Sequence, residues 1–174
     1  MLSKVQEDRQ KKFDAIRELG LDPHGWRYEN VEPAAEIKAG FDEDAEENSQ
    51  TARAAGRIVL HRDMGKMMFA TLRDSSGQIQ IALKKDVLDE TTWTLAKNLD
   101  LGDIVGVDGP VHRTRTGELT IWATSLTMLS KSLLPMPEKF HGLSDVEIRY
   151  RQRYLDLMTN PDSMATFKKR IEII

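Results

Sequence analysis

The strongest constraint on this chain is a period-two pattern of apolar and polar residues that recurs in the runs between Ala52 and Leu129. Side chains two apart share one face of a strand, so this period describes strands with one buried face. ARAAGRIVLHR (52–62), KMMFATLR (66–73) and QIQIALK (78–84) are separated by MGK (64–66) and DSSGQ (74–78), both suited to hairpin turns. DVLDETTWTLAKN (86–98) loses the alternation and reads as a helix. DIVGVDGPVHR (103–113) and ELTIWATSLTML (118–129) then form two more strand runs around the polar tip TRTG (114–117).

Three strands, a helix and two strands is the order of the five-stranded Greek-key OB-fold barrel. The expected class is β-rich α+β, a barrel with an N-terminal helix and C-terminal linker helices. Ser3 and Gln6 fit a capping box for a helix from Ser3 to Leu19, with Gly20 as its stop. Its stripe of Leu2, Val5, Phe13, Ile16 and Leu19 is incomplete and leaves Arg9, Gln10 and Lys12 among the exposed positions. A short turn is expected near Pro33–Ala39. FDEDAEEN (41–48) reads as a solvated, mobile acidic linker. After the barrel, Ser144 with Glu147 predicts a helix through about Met158, and Asn160-Pro161 starts a last one that stops uncapped at Ile174, as in a truncated chain. The expected division is 1–50 for helix and acidic linker, 51–130 for the barrel, and 131–174 for a linker and the start of a further domain.

Several function classes drop out. The absence of cysteine excludes disulfides and Cys-ligated zinc, and the histidines (24, 61, 112 and 141) lack metal-ligand spacing. No apolar run approaches the ~18–20 residues of a membrane span, and the N-terminus lacks a signal-peptide core, so a cytoplasmic location without a membrane partner is expected. There is no phosphate-binding loop, dinucleotide fingerprint, zinc-protease helix or nucleophile elbow, so no residue is assigned a catalytic role. The net charge of -3 divides into -6 over residues 1–50 (7 basic, 13 acidic) and +3 over 51–174 (18 basic, 15 acidic). Charge therefore neither demands nor forbids an RNA partner.

OB-folds bind oligonucleotides on the outer face of strands 2 and 3, flanked by the loops between strands 1–2 and 4–5. Met68, Ala70, Leu72, Ile79, Ile81 and Leu83 are the aliphatic, inward set, which puts Phe69 and Gln80 outside. An exposed ring stacks on a base and an amide reads a base edge. Equally, Phe69 packs beneath the N-terminal helix or residues 21–40, and Gln80 is simply solvated. Loop 1–2 carries His61, Arg62, Asp63 and Lys66; loop 4–5 carries Arg113, Arg115 and Glu118. Arg62 offers two parallel donors to a phosphate or base carbonyl, although its parity matches Ile58 and Leu60 unless the strand ends or bulges there. Glu118 beside a polyanion is useful only where it accepts a specific hydrogen bond, such as from a uridine imino group. Taken singly, each charge is equally a hairpin-tip residue kept for solubility.

GRIVLHRDMGKMMFATLRDSSGQIQI, LGDIVGVDGPVHRTRTGELTI and KSLLPMPEKFHGLSDVEIRYRQRYLDL resemble the N-terminal region of class II lysyl-tRNA synthetases. The resemblance covers residues 52–174 well and the N-terminal helix more loosely. RYRQRYLDL (149–157) is shared with aspartyl and asparaginyl enzymes, whereas KFHGL and RTRTGEL are more specifically lysyl. The resemblance implies an anticodon-binding barrel in which Phe69 stacks on a base of the lysine tRNA while Arg62, Gln80 and Glu118 read uridine edges. It further implies a helix against the anticodon stem, with Arg9 and Lys12 as candidate phosphate contacts. It implies a homodimeric parent enzyme whose ATP and Mg²⁺ sites lie beyond residue 174, leaving no cofactor and no activity in these residues. The alternatives are an assembly piece built on 131–174, an aspartyl- or asparaginyl-type fragment, or a generic single-strand binder.

Overall fold

β1 (Thr51–Asp63), β2 (Met67–Arg73), β3 (Gln78–Lys84), β4 (Ile104–Arg113), β5 (Leu119–Ala123) and β6 (Ser125–Ser130) are joined in the order β1-β2-β3-β5-β4-β6, and β1 also pairs with β4. That extra pairing closes the first five into a barrel, the expected OB-fold. All neighbours are antiparallel except β3 and β5, which run parallel with Gln80 opposite Thr120 and Ala82 opposite Trp122. The computed structural model describes residues 3–46, 49–135 and 145–174. It divides into two compact units, 1–135 and 136–174.

The inward positions are those the alternation selects. Ile58, Met68, Leu72, Ile79, Ile81, Leu83, Val105, Val107 and Ile121 are all buried, each contributing on the order of 1.5–3 kcal/mol on leaving water. The expected fifth strand is two. At Thr124 the chain bends, and its N–H and hydroxyl both donate to the carbonyl of Asp108, at 2.8 and 3.1 Å. β5 thus pairs with β4 at Val111–Arg113 and β6 continues along the same edge at Ile104–Asp108. Gly109 sits where this bend crosses, and a Cβ there would overlap the Trp122 carbonyl oxygen.

α1 (Lys4–Glu18) has the expected capping box: the Ser3 hydroxyl accepts from Gln6 N–H, and the Gln6 side chain accepts from Ser3 N–H at 2.7 Å. Leu2 of its predicted stripe lies outside the described residues. α2 (Ala34–Ala39) occupies the expected turn after Pro33. α3 (Glu90–Lys97) begins later than the pattern suggested, because the Asp89 carboxylate caps it through Thr92 N–H at 3.0 Å. Ile16, Ala34, Ile37, Trp93 and Leu95 join the barrel core, so the segment before the barrel is part of the same unit. Between the helices, Tyr28 lies on Gly106, where a Cβ would meet its ring at 2.5 Å. Its hydroxyl donates to Asp108 at 2.8 Å and Arg53 stacks on its face.

A buried ionic group seals one end. Lys131, fully buried, donates to Asp100 (2.6 Å), Asp103 (2.8 Å) and the Asn98 carbonyl (2.9 Å), while Lys12 reaches Asp100 from α1 (2.6 Å). Burial tends to raise the Asp100 carboxyl, but hydrogen bonds and charge from Lys12 and Lys131 outweigh it and hold it below the usual carboxylate range.

In the second unit, α4 (Val146–Arg151), α5 (Arg153–Thr159) and α6 (Pro161–Ile173) replace the two helices expected. Ser144 of the predicted capping box lies outside the described residues. Asp145 caps α4 through Ile148 N–H at 3.1 Å. Gln152, with φ -119° and ψ 58°, interrupts the helix. Asp156 is buried and receives Arg149 (2.8 Å) and Arg153 (2.5 Å). Asn160 caps α6 with Pro161 in its first turn, as expected.

Candidate nucleic-acid interface

The outer surface of β1, β2, β3 and β5 depends on one irregularity. Ile58 pairs with Leu72, yet Leu60 pairs with Thr71, so two steps on β1 match one on β2. This is a β-bulge at Val59, and it reverses inside and outside for the rest of the strand. Before it, Ala52, Ala54 and Ile58 face the core. After it, Leu60 is turned outward, His61 lies beside buried Ala70, and Arg62 lies beside Phe69 and is exposed. The parity conflict at Arg62 is resolved by the bulge. β1 also continues to Asp63, so His61 and Arg62 belong to the strand rather than the loop.

Two rows of outward residues cross the sheet from there. In the first, Arg62 neighbours Phe69, Phe69 neighbours Ala82, and Ala82 neighbours Trp122. Ala82 is small enough for the rings on either side to meet over it, with Phe69 edge-on to Trp122 at 6.3 Å and 78°. Phe69 is therefore set on the outer face against another aromatic. In the second row stand Thr71, Gln80, Thr120 and His112. Gln80 Nε2 donates to Thr120 Oγ1 at 2.8 Å, which donates in turn to the Glu118 carbonyl at 3.1 Å. This chain orients the Gln80 amide while its oxygen makes no hydrogen bond among the described residues.

Trp122, His112 and Lys84 are not singled out by sequence reasoning. The His112 and Trp122 rings stack at 4.6 Å and 5°, and Lys84 Nζ lies 4.3 Å from the indole centroid. Trp122 Nε1 donates to the His112 carbonyl at 3.3 Å, fixing the ring. Parity could have placed Trp122 outside, since Leu119, Ile121 and Ala123 are the inward set of β5. Its neighbours were hidden because β5 pairs with β3 across the helix-bearing connection.

The two flanking turns are held rather than loose. Between β1 and β2, Asp63 Oδ1 accepts from Gly65 N–H at 2.8 Å, and Lys97 of α3 grips both Asp63 (2.8 Å) and the Gly65 carbonyl (3.1 Å). The Lys97 and Gly65 hydrogen bonds hold Asp63 below the usual carboxylate range. Between β4 and β5, Arg113 donates to the Gly117 carbonyl at 2.8 Å and to Glu43 at 3.0 Å. Arg113 is thus committed inside the molecule, and Glu43 of the acidic run is docked, which corrects the reading of that run as a wholly mobile linker (Glu47 and Asn48 lie outside the described residues). Arg115 and Glu118 remain exposed. Glu118 is the last residue of this turn, immediately before Leu119 opens the strand that carries Thr120 and Trp122.

Arg9 and Lys12 do not face outward as their helical positions suggested. Arg9 is 7% exposed and donates to the carbonyls of Ser132 (2.7 Å), Leu134 (3.0 Å) and Leu101 (3.0 Å). Lys12 is bound to Asp100. The returning segment at 131–135 covers this face of α1, which no local pattern could reveal. His61 points to the barrel mouth, where burial lowers its pKa and its buried Nε2 has no hydrogen-bond partner among the described residues.

Among the described residues no group of three or more His, Asp or Glu side chains is placed to hold a metal ion, and no helix is long and apolar enough to cross a membrane. Residues 52–129 match a tRNA anticodon family described as an OB-fold nucleic acid binding domain. Almost the whole chain is similar to curated lysine–tRNA ligases. One from Streptococcus suis is 49% identical over 99% of this chain, one from Lysinibacillus sphaericus 51% over 95%, and one from Streptococcus pneumoniae 48% over 99%. The chain spans about a third of each relative's length, 36%, 34% and 36% respectively.

Proposed function

Residues 52–129 belong to the OB-fold nucleic-acid-binding family and nearly the whole chain is homologous to part of the lysine–tRNA ligases; from this we propose that the chain reads the anticodon of lysine tRNA for such a ligase. The observation that carries the reading is the outward alignment of Arg62, Phe69 and Gln80, with Glu118 in the turn that leads into β5.

Unpaired bases splayed from an RNA loop offer two faces for stacking and edges for hydrogen bonds, and these residues match that need. The Phe69 ring takes the face of one base, contributing on the order of 1–3 kcal/mol. The Gln80 oxygen accepts from a base N–H, because one Nε2 hydrogen is directed to Thr120 and sets the orientation of the amide. The Glu118 carboxylate accepts from a uridine imino group and repels bases that lack a donor there. Arg62 supplies a forked pair of donors to a phosphate or base carbonyl. Lysine attachment, with its ATP and Mg²⁺, is on this reading the work of residues outside these 174, in a cytoplasmic enzyme. Pairing of two copies we assign to the second unit, where Ile148, Ile171 and Ile173 are exposed, whereas Phe167 is covered by Arg153. Sedimentation with and without residues 145–174 tests that assignment.

The deciding experiment is binding of lysine tRNA beside the same tRNA with its central anticodon uridine changed. A clear preference for the unchanged anticodon is expected. Equal, weak binding to both refutes autonomous anticodon reading.

A further inference from the structure

The Trp122 group extends the outer face past the residues used above. Its indole is half-buried and fixed by its own Nε1 hydrogen bond and by the parallel His112 ring. It abuts Phe69 across Ala82, whose side chain is too short to separate the rings. Beside it lies a cavity of about 240 Å³ lined by Lys84, Val87, Pro110, Trp122 and Thr124. That is smaller than the ~300–1,000 Å³ pockets that enclose whole drug-sized ligands, and it suits one planar ring with its phosphate outside. Lys84 supplies the matching charge at the mouth. A structural role alone does not require a cation held 4.3 Å from an indole centroid beside an open recess of mixed polar and apolar lining.

We propose that Trp122, Lys84 and this cavity form a second nucleotide subsite, which takes the base next to the one stacked on Phe69 in the same RNA strand. The occupant follows from three features. The recess is continuous with the Phe69 face of a nucleic-acid-binding fold. Its wall is aromatic, and every base has a face to stack on it without sequence preference. The ammonium is placed for the phosphate that must accompany the base. A nucleotide entering the recess displaces Lys84 from the indole towards that phosphate. The inference rests on the proposed single-strand RNA binding, and it adds a sequence-tolerant grip next to a sequence-reading one.

The test uses the intact chain with an anticodon stem-loop RNA, unmodified or carrying a single abasic residue at each loop position in turn. Trp122→Leu is expected to weaken binding of the unmodified RNA roughly 5- to 150-fold. One abasic RNA should erase the effect of Phe69→Leu, and an adjacent one should erase that of Trp122→Leu. Trp122→Phe, which keeps a ring, guards against a folding defect and should retain most affinity. It should also remove the RNA-induced fluorescence quenching that Trp26→Phe leaves in place. Lys84→Gln should lower the salt slope by about 0.7. If Phe69→Leu weakens binding and Trp122→Leu does not, or if both effects vanish with the same abasic position, the second subsite is wrong while RNA binding stands. If the unaltered chain binds no stem-loop, the underlying reading fails and the subsite with it.

Discussion

Replacing Phe69 separates a residue that faces RNA from one that holds the barrel together. The ring is half-buried on the outer face and meets Trp122 edge-on. Full burial of such a side chain contributes ~1.5–3 kcal/mol, so half contributes about 1. The edge-to-face pair adds ~0.5–1.5. Phe69→Ala should therefore cost about 2 kcal/mol of stability, less than the ~3–5 typical of a core phenylalanine. Phe69→Leu keeps most of the buried apolar area and should cost under about 1 kcal/mol. Binding behaves differently, because leucine has no flat face. Both variants should lose roughly 1–3 kcal/mol of RNA affinity, a factor of about 5–150. Urea unfolding followed by circular dichroism gives the first quantity, and fluorescence anisotropy with a labelled stem-loop gives the second. A leucine variant that binds as tightly as the parent would refute the stacking role. An alanine variant that loses more than about 4 kcal/mol of stability would make Phe69 a core residue.

Lys131→Met should destabilise the first unit by ~3–5 kcal/mol, because Asp100 and Asp103 lose the cation they enclose; an unchanged urea midpoint would show that the pair needs no counter-charge. Gly109→Ala should cost ~1–3 kcal/mol or more, since its methyl overlaps the Trp122 backbone, whereas Gly77→Ala meets nothing within 4 Å and should be near neutral. Equal midpoints for the two variants would contradict the crossing at Thr124. His61 has a pKa lowered by burial, so the unfolded chain binds the proton more readily. Its contribution is then complete above the unfolded value of about 6.5 and declines as pH falls towards the lowered folded value. His61→Gln should flatten stability across that interval, and an unchanged slope would show that His61 titrates normally.

The barrel was legible because alternation, turn residues and helix caps all act over a few positions. Phe69 and Gln80 were legible for the same reason: parity alone turns them out of the core once their aliphatic neighbours turn in. Long-range pairing is invisible at that scale. Nothing in ELTIWATSLTML marks Thr124 as a break, since the bend is set by the distant Asp108 carbonyl. Trp122 gains its setting from β3 and β4 together, and Arg9 loses its exposure to a segment more than a hundred residues away. The bulge at Val59 was inferable only as a conflict, from an arginine whose parity was shared with isoleucine.

That bulge makes the two ends of β1 separately alterable. Deleting Val59 would leave every other side chain, the following turn and the net charge unchanged. It would also leave His61 inward and Arg62 outward, because Leu60 would then follow Ile58 directly and the regular alternation would carry on opposite Thr71, Ala70 and Phe69. Keeping Val59 but pairing it in regular register would instead turn Arg62 inward in step with Ile58 and His61 outward, so the bulge itself decides which cation this surface displays.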